Sequence, residues 1–364
     1  MNRIKINLDK RSVKTHEIYM DHDLLDRIGL IVTKKNWADR WFIITDSNVA
    51  GIHGERVREA LAQAGLRLDM LVVPAGEKIK TIDTVLRLSG ELTERGADRQ
   101  SGIMALGGGV VGDLAAFLAS IYMRGVPFIQ VPTTLMAQVD SSIGGKTGVD
   151  LPFGKNMLGT FTQPRAIFIN TCFLQTLPDE ELANGLAEIV KYGIIDDPHI
   201  LDELEKNPTA VKDRDERFLE RIVAKCCGIK KAIVEIDEKE KGIRRILNFG
   251  HTVGHAIEAE SGYAVPHGAA VALGMLATAK ISERMGYLHE GDRARIEALS
   301  EKLGLPRRIP AGIRTDGIIA RLKGDKKKQG ETVRFVLLKK TGMPFMNGGV
   351  PDDILNQVIG ELRG

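Results

Sequence analysis

Five apolar runs of strand length punctuate the first half of the chain: "WFIIT" (41–45), "LDMLVVP" (68–74), "GIMAL" (102–106), "FIQVP" (128–132) and "AIFIN" (166–170). Helix-period segments such as "ERVREALAQAG" (55–65) and "TIDTVLRLSGELTERG" (81–96) separate several of them. Strand and helix in alternation require a parallel sheet with both faces covered. From about residue 178 the texture changes. "PDEELANGLAEIVKYGII", "PHILDELEKN", "RFLERIVAKCCGIKKAIVEID" and "AAVALGMLATAKISERMG" all repeat at 3.6 residues, with almost no strand-like run. "LPDEE" (177–181) reads as a helix start, with Pro178 near the first turn and acids where the helix dipole is positive. The 364 residues exceed what a single core of up to ~250 residues usually holds. The expectation is therefore an α/β domain over 1–177 and an all-α domain over 178–364. No repeat or low-complexity linker separates them, so they are expected to pack closely around a shared cleft.

The run "GIMALGGGVVGDLAAFLAS" passes from a strand through Gly107, Gly108 and Gly109 into a helix carrying Gly112 and Asp113. It satisfies G-x-G-x-x-G in its strand, turn and helix setting, where glycines admit close backbone approach and the helix N-terminus offers unpaired amides to a pyrophosphate. The motif lies past residue 100, and no acid follows about 20 residues on, where a ribose partner is expected. Asp46 and Asn48 in "IITDSN" can serve instead, which predicts a dinucleotide site of variant topology. A helix that needs glycine only to pack on its sheet is the plainer reading.

Three of the eight histidines fall in "LNFGHTVGHAIEAESGYAVPHGAA" (247–270). His251 and His255 are four apart and share a helical face. Thr252 stands where a zinc protease needs glutamate, so that motif fails. His267 opens another apolar helix, and "NGLAEIVKYG" places Glu188 and Lys191 inside an apolar one. Catalytic zinc commonly takes three protein ligands, and a buried charge needs a polar partner. A metal held by a carboxylate and two of these histidines satisfies both; spacing alone leaves open whether His251 or His255 belongs to the set, and any one histidine by itself reads as ordinary.

Arg124 in "IYMRGVPF", Lys146 in "SSIGGKTGVD", and Lys155 with Asn156 in "PFGKNMLG" are expected in glycine-rich loops. Arg244 and Asn248 lead into the histidine segment. Such cations suit a substrate with phosphate and carboxylate groups, with Asp140 and Asn156 available for hydroxyls. "GDKKKQG" (324–330) has no aromatic interleaving and reads as a solvated loop or one end of a substrate clamp.

A net charge of +3, with 27% charged and 43% hydrophobic residues, gives no cation excess for a polyanion, so nucleic acid is not expected as a partner. Cys172, Cys226 and Cys227 lack disulfide or metal spacing and read as buried thiols in a reducing compartment. "MNRIKINLDK" has no apolar signal core, and no run reaches the roughly 18 apolar residues of a membrane span, so a cytoplasmic protein is expected.

Taken together, "PAGEKIKT", "GGGVVGDLAAF", "YMRGVPFIQVPTTLMAQVDSSIGGKTGV", "GKNMLGTFTQP", "TLPDEELANGLAEIVKYG", "DEKEKGIRRILNFGHTVGHAIEAE", "HGAAVALGM" and "DKKK" resemble the 3-dehydroquinate synthase family over almost the whole chain. The resemblance implies a Rossmann-like N-terminal domain, a helical C-terminal domain, NAD, and a divalent metal, zinc or cobalt. It implies Glu188, His251 and His267 as metal ligands, with His255 an active-site group. NAD contacts carry over to Asp46, Asn48, Gly76, Glu77, Lys78, Lys80, Gly108, Gly109, Val110, Val111, Gly112 and Asp113. They continue through Thr133, Thr134, Lys146, Lys155, Phe173, Leu174, Gln175, Thr176 and Asn184. Substrate contacts fall on Arg124, Asp140, Lys146, Asn156, Lys191, Lys230 (with Lys231 adjoining), Arg244, Asn248, His255 and Lys326 (with Lys327 adjoining). The implied reaction converts 3-deoxy-D-arabino-heptulosonate 7-phosphate to 3-dehydroquinate and phosphate, with NAD reduced and reoxidised in each cycle. A cytoplasmic homodimer is the implied assembly.

Metal-dependent alcohol and glycerol dehydrogenases resemble the same glycine turn and histidine pair, but they need no phosphate cations. Other sugar phosphate cyclases differ in a few pocket residues. A non-catalytic nucleotide sensor would keep the glycine turn and lose ligands and cations.

Overall fold

The computed structural model describes residues 1–7, 15–152, 154–329 and 333–363, without the side chains of 4, 6, 7, 15 and 323–329. Nine strands occupy the first half: β1 Asn2–Asn7, β2 Thr15–Asp21, β3 Arg40–Asp46, β4 Leu68–Val73, β5 Ser101–Gly107, β6 Phe128–Pro132, β7 Lys146–Leu151, β8 Gly154–Phe161 and β9 Ala166–Asn170. Seven form one sheet in the order β1-β2-β9-β6-β5-β3-β4. All neighbours pair in parallel except β1 with β2. The five apolar runs are thus β3, β4, β5, β6 and β9.

Alternation along the strands builds two cores, because successive side chains leave a strand on opposite faces. Phe42, Ile44, Ile103 and Ala105 join one cluster with the helices Ile82–Glu94 and Gly109–Ile121. Trp41, Ile43, Met104 and Leu106 join the other with Leu25–Lys35 and Glu55–Gln63. Central strands β5, β6 and β9 are buried at every residue, as strands covered on both faces must be.

The chain divides into two compact units, Met1–Pro178 with Glu216–Lys239, and Asp179–Asp215 with Glu240–Gly364. The helix Glu216–Ile236, periodic like its neighbours in sequence, is counted with the sheet because it packs against β1, β2 and the turn Ala137–Ser141. Among the described residues the second unit is largely helical, with one antiparallel ribbon, Phe335–Leu338 with Pro344–Asn347, and an isolated bridge between Ile309 and Arg363. These four-residue strands are too short to interrupt a helical reading of the sequence. Cys226 and Cys227 are buried, whereas Cys172 is only partly so. Among the described residues no helix is long and apolar enough to cross a membrane.

His16 on β2 is 3% exposed, and neither ring nitrogen has a hydrogen-bond partner among the described residues. Burial drives its pKa down to about 4, against a smaller opposing pull from Glu235. The unfolded ring takes a proton near pH 6.5 and the folded ring only near 4, so stability is complete above pH 6.5 and falls as pH drops between those values. The expected loss is about 3 kcal/mol at most, because each pH unit of that interval is worth ~1.4 kcal/mol. Urea midpoints measured across this interval should decline for the native chain and flatten in His16→Phe; equal slopes would contradict the assignment.

Candidate functional site

In the first unit the glycine turn joins β5 to the helix Gly109–Ile121. Its glycines answer close approach rather than unusual backbone angles. A Cβ on Gly107 would lie 2.7 Å from Val111, one on Gly108 2.9 Å from Thr134, and one on Gly109 2.9 Å from Ser141. Gly112 lies over Gln130, whose Nε2 donates to the Gly112 carbonyl at 3.3 Å. Val110 and Val111 continue the first turn, and Thr133 donates its amide to the Gly107 carbonyl at 3.0 Å. The first helical turn thus presents backbone amides and no acid, the arrangement that receives a pyrophosphate.

Around this turn several predicted residues meet. Lys80 is 4% exposed and donates to Asp113 at 2.7 Å and to the Asn156 side-chain oxygen at 2.5 Å. Burial works against its charge, and the Asp113 carboxylate more than offsets this. Burial pushes the Asp113 carboxyl up, opposed by Lys80. Asn156, at φ 56°, is held by its amide donating to Asp150 at 2.7 Å. Lys155 lies 3.5 Å from Glu77, in the turn that follows Gly76 and includes Lys78. Asp140 receives Lys230 at 2.8 Å on its carboxylate and 2.6 Å on its carbonyl.

Asp46 accepts the amides of Asn48 and Val49 at 2.9 and 3.0 Å, which makes it a helix cap. Phe173, Leu174, Gln175 and Thr176 lie on the turn Thr171–Thr176, where His53 meets both Phe173 and Thr176. Arg124 is exposed with φ 71°. Lys146, Lys155 and Asn156 sit on strands, correcting the loop expectation: β7 and β8 form an antiparallel hairpin. Its glycines permit backbone contact across the pair, since a Cβ on Gly159 would lie 1.9 Å from the Thr147 carbonyl.

In the second unit, helix Asp179–Ile195 carries Asn184, Glu188 and Lys191. Helix His251–Glu260 carries His251 and His255, and His267 begins the next helix. Glu188, His251 and His267 bring ligand atoms within 4.8 Å of one another. The Glu188 carboxylate is fully buried, and its Oε1 accepts no hydrogen bond among the described residues. Its Oε2 faces the buried Lys191 ammonium, while its Oε1 lies 3.5 Å from His251 Nε2 and 3.8 Å from His267 Nε2. Tetrahedral ligands on ~2.1 Å bonds stand about 3.4 Å apart, so this set fits a divalent metal.

Burial, reinforced by Lys191 and the other two histidines, holds His251 well below the ordinary imidazole range. A neutral ring has a lone pair to give. Burial also opposes charge on His267, but Glu258 and Glu188 outweigh it and raise its pKa. His255 is 61% exposed and groups instead with Glu258 and His267. Asn184 accepts the Gly268 amide at 3.0 Å, Asn248 donates to Glu240 at 2.6 Å, and Arg244 is buried. Lys326 lies in the helix Thr315–Gln329, with its side chain outside the described residues.

Glycines set the spacing of the two histidine-bearing helices. A Cβ on Gly274 would meet the Gly250 carbonyl at 1.9 Å and the Gly254 amide at 2.8 Å. Alanine is otherwise favoured in a helix by about 1 kcal/mol over glycine. Gly274→Ala is nevertheless expected to destabilise by roughly 1–3 kcal/mol, since the obstacle is backbone, and to weaken metal binding. Denaturation and metal titration measure both; a more stable variant would show that the helices can separate at no cost.

Sequence reading missed Gln130, Asp150, Glu240 and Glu258. Only Glu258 left a signal, three residues after His255 and seven after His251 in one helical repeat.

Residues 70–184 match the family 3-dehydroquinate synthase N-terminal, and residues 185–328 match 3-dehydroquinate synthase C-terminal. The chain is 45% identical over 343 residues to 3-dehydroquinate synthase of Desulforamulus reducens, covering 94% of this chain and 95% of that one. Two of the solved structures that share its fold illustrate the similarity. A 2-deoxy-scyllo-inosose synthase complexed with carbaglucose-6-phosphate, NAD+ and Co2+ aligns at TM-score 0.90 and 28% identity, over 99% of this chain and 100% of the other. The 2-epi-5-epi-valiolone synthase of Streptomyces hygroscopicus, with NAD+ and Zn2+ bound, aligns at 0.88 and 25%, over 98% and 99%. A glycine turn that opens a helix, a buried carboxylate whose Oε1 faces two histidine nitrogens, and this depth of similarity agree, and the chain belongs to the 3-dehydroquinate synthase family.

Proposed function

We propose that this protein converts 3-deoxy-D-arabino-heptulosonate 7-phosphate to 3-dehydroquinate and phosphate. The observation that carries the reading is the buried Glu188 carboxylate, whose Oε2 pairs with the Lys191 ammonium while its Oε1 has two histidine nitrogens 3.5 and 3.8 Å away. When bound, NAD supplies a reversible hydride acceptor for C5 of the substrate, and zinc or cobalt polarises the neighbouring oxygens.

Glu188, His251 and His267 would hold the metal. The glycine turn, Asp46, Asn48, Glu77, Lys80 and Asn184 would hold NAD. Lys80 serves here through Asp113 and Asn156, which it fixes. Arg124, Lys146, Lys230, Arg244 and Lys326 would bind phosphate and carboxylate, and Asp140 and Asn156 the hydroxyls. His255, exposed and four residues from His251, would move the proton of the reacting hydroxyl. Phosphate can leave with its own oxygens as base, so the cations only orient it. A cytoplasmic homodimer, with neither nucleic acid nor membrane as partner, completes the proposal; the net charge of +3 supports the absence of a polyanionic partner.

Purified protein given the heptulosonate phosphate, NAD and zinc or cobalt should release phosphate only when both cofactors are present, without net NADH. NADH accumulating from a simple polyol, with no phosphate release, would identify a dehydrogenase instead.

A further inference from the structure

Glu258 is a buried carboxylate that none of the roles above uses. It sits 5% exposed on the helix His251–Glu260, and its Oε2 lies 3.3 Å from His267 Nδ1 and 3.9 Å from His255 Nε2. The other nitrogen of the same ring, His267 Nε2, faces Glu188 Oε1. His251 repeats the arrangement: its Nδ1 lies 3.2 Å from the Phe249 carbonyl while its Nε2 faces Glu188. Both rings are thus anchored at Nδ1 and converge through Nε2. A neutral imidazole carries one hydrogen, and the partner of one nitrogen decides which nitrogen keeps a lone pair. For His251 that partner is main chain and cannot be substituted away; for His267 it is one side chain.

We propose that Glu258 is a positioning residue that keeps the His267 hydrogen on Nδ1 and aims the Nε2 lone pair at the site shared with Glu188 and His251. It acts through His267 and touches neither metal nor substrate. A carboxylate in this place costs more to bury than an amide or a methyl group unless it has such a donor. The inference rests on the metal-site reading of Glu188, His251 and His267.

Three variants and one spectrum test it. Zinc and cobalt affinities are measured by chelator competition on full-length protein, beside the unfolding midpoint of the metal-free form. Glu258→Ala should weaken metal binding about 10–100-fold. Glu258→Gln, whose amide oxygen still accepts from Nδ1, should recover most of that loss. A purely structural glutamate would lower the metal-free midpoint and leave affinity unchanged, which would overturn the inference. Glu188→Gln separates the two readings. If it loses metal while Glu258→Ala binds like the native chain, the site stands and the role of Glu258 falls; if it too binds normally, the metal site itself is misassigned. Should Glu258→Ala not fold, long-range proton–nitrogen spectra of the native metal-free protein, at a pH where His267 is neutral, decide alone. A hydrogen on Nδ1 supports the inference and a hydrogen on Nε2 overturns it.

Discussion

His251→Ala is expected to abolish tight binding of zinc or cobalt and to lower turnover at least about 10³-fold, the equivalent of ~4 kcal/mol of transition-state stabilisation at 1.36 kcal/mol per decade. The size follows from the geometry. Three protein ligands are the minimum that catalytic zinc sites use, and His251 is the most deeply held of the imidazoles, kept neutral by burial and anchored through Nδ1 to Phe249. Its loss also leaves Glu188 facing Lys191 with one histidine instead of two. His255→Ala provides the contrast. That ring is 61% exposed and lies outside the Glu188 set, so metal should stay bound while turnover falls by about 10²–10⁴-fold, the range of a lost general acid or base. Metal titration and phosphate release on both variants check the pair. A metal-replete, active His251→Ala would remove that histidine from the set, and a metal-free His255→Ala would exchange the two assignments.

The same pair of histidines shows how far the sequence is legible. Spacing places His251 and His255 on one helical face and stops there, because a face spans both rings. What separates them is where the next helix and Glu188 lie, and that depends on glycine contacts such as Gly274 against Gly250, which no periodicity encodes. The central strands β5, β6 and β9 are readable because strands covered on both faces must be apolar at nearly every position, and β3 and the partly buried edge strand β4 are readable from the same kind of apolar run. Strand β2, "THEIYMD", is not, since it mixes His16 and Glu17 with apolar residues and owes its burial to pairing with β9. The β7–β8 hairpin is hidden for the opposite reason: its glycines serve close strand contact, and glycine in a sequence reads as loop. Family resemblance supplies candidate roles, but not the side-chain partners that position Asn156, Asp140 and His267.

Lys80→Met is expected to destabilise the first unit by about 3 kcal/mol. Breaking a fully buried ion pair costs roughly 3–5 kcal/mol because the remaining charge is left without compensation; the lower end applies here, since the Asp113 side chain keeps 21% exposure. For a unit of this size the thermal midpoint should fall by roughly 6–12 °C. Asp113 then has only the choice of staying charged without Lys80 or taking a proton, and burial already pushes its carboxyl upward. Lys80→Met combined with Asp113→Asn should therefore recover part of the loss, because no charge is stranded and the mutual attraction is removed along with the partner. A double variant no more stable than Lys80→Met would assign the damage to packing of the lysine stem instead. Activity separates the second duty of Lys80. The ammonium also grips Asn156, which holds a left-handed backbone between that contact and Asp150, so the double variant should regain stability without regaining catalytic efficiency. Stability restored together with full activity would mean that Asn156 keeps its place without the lysine, and that the ion pair serves the fold alone.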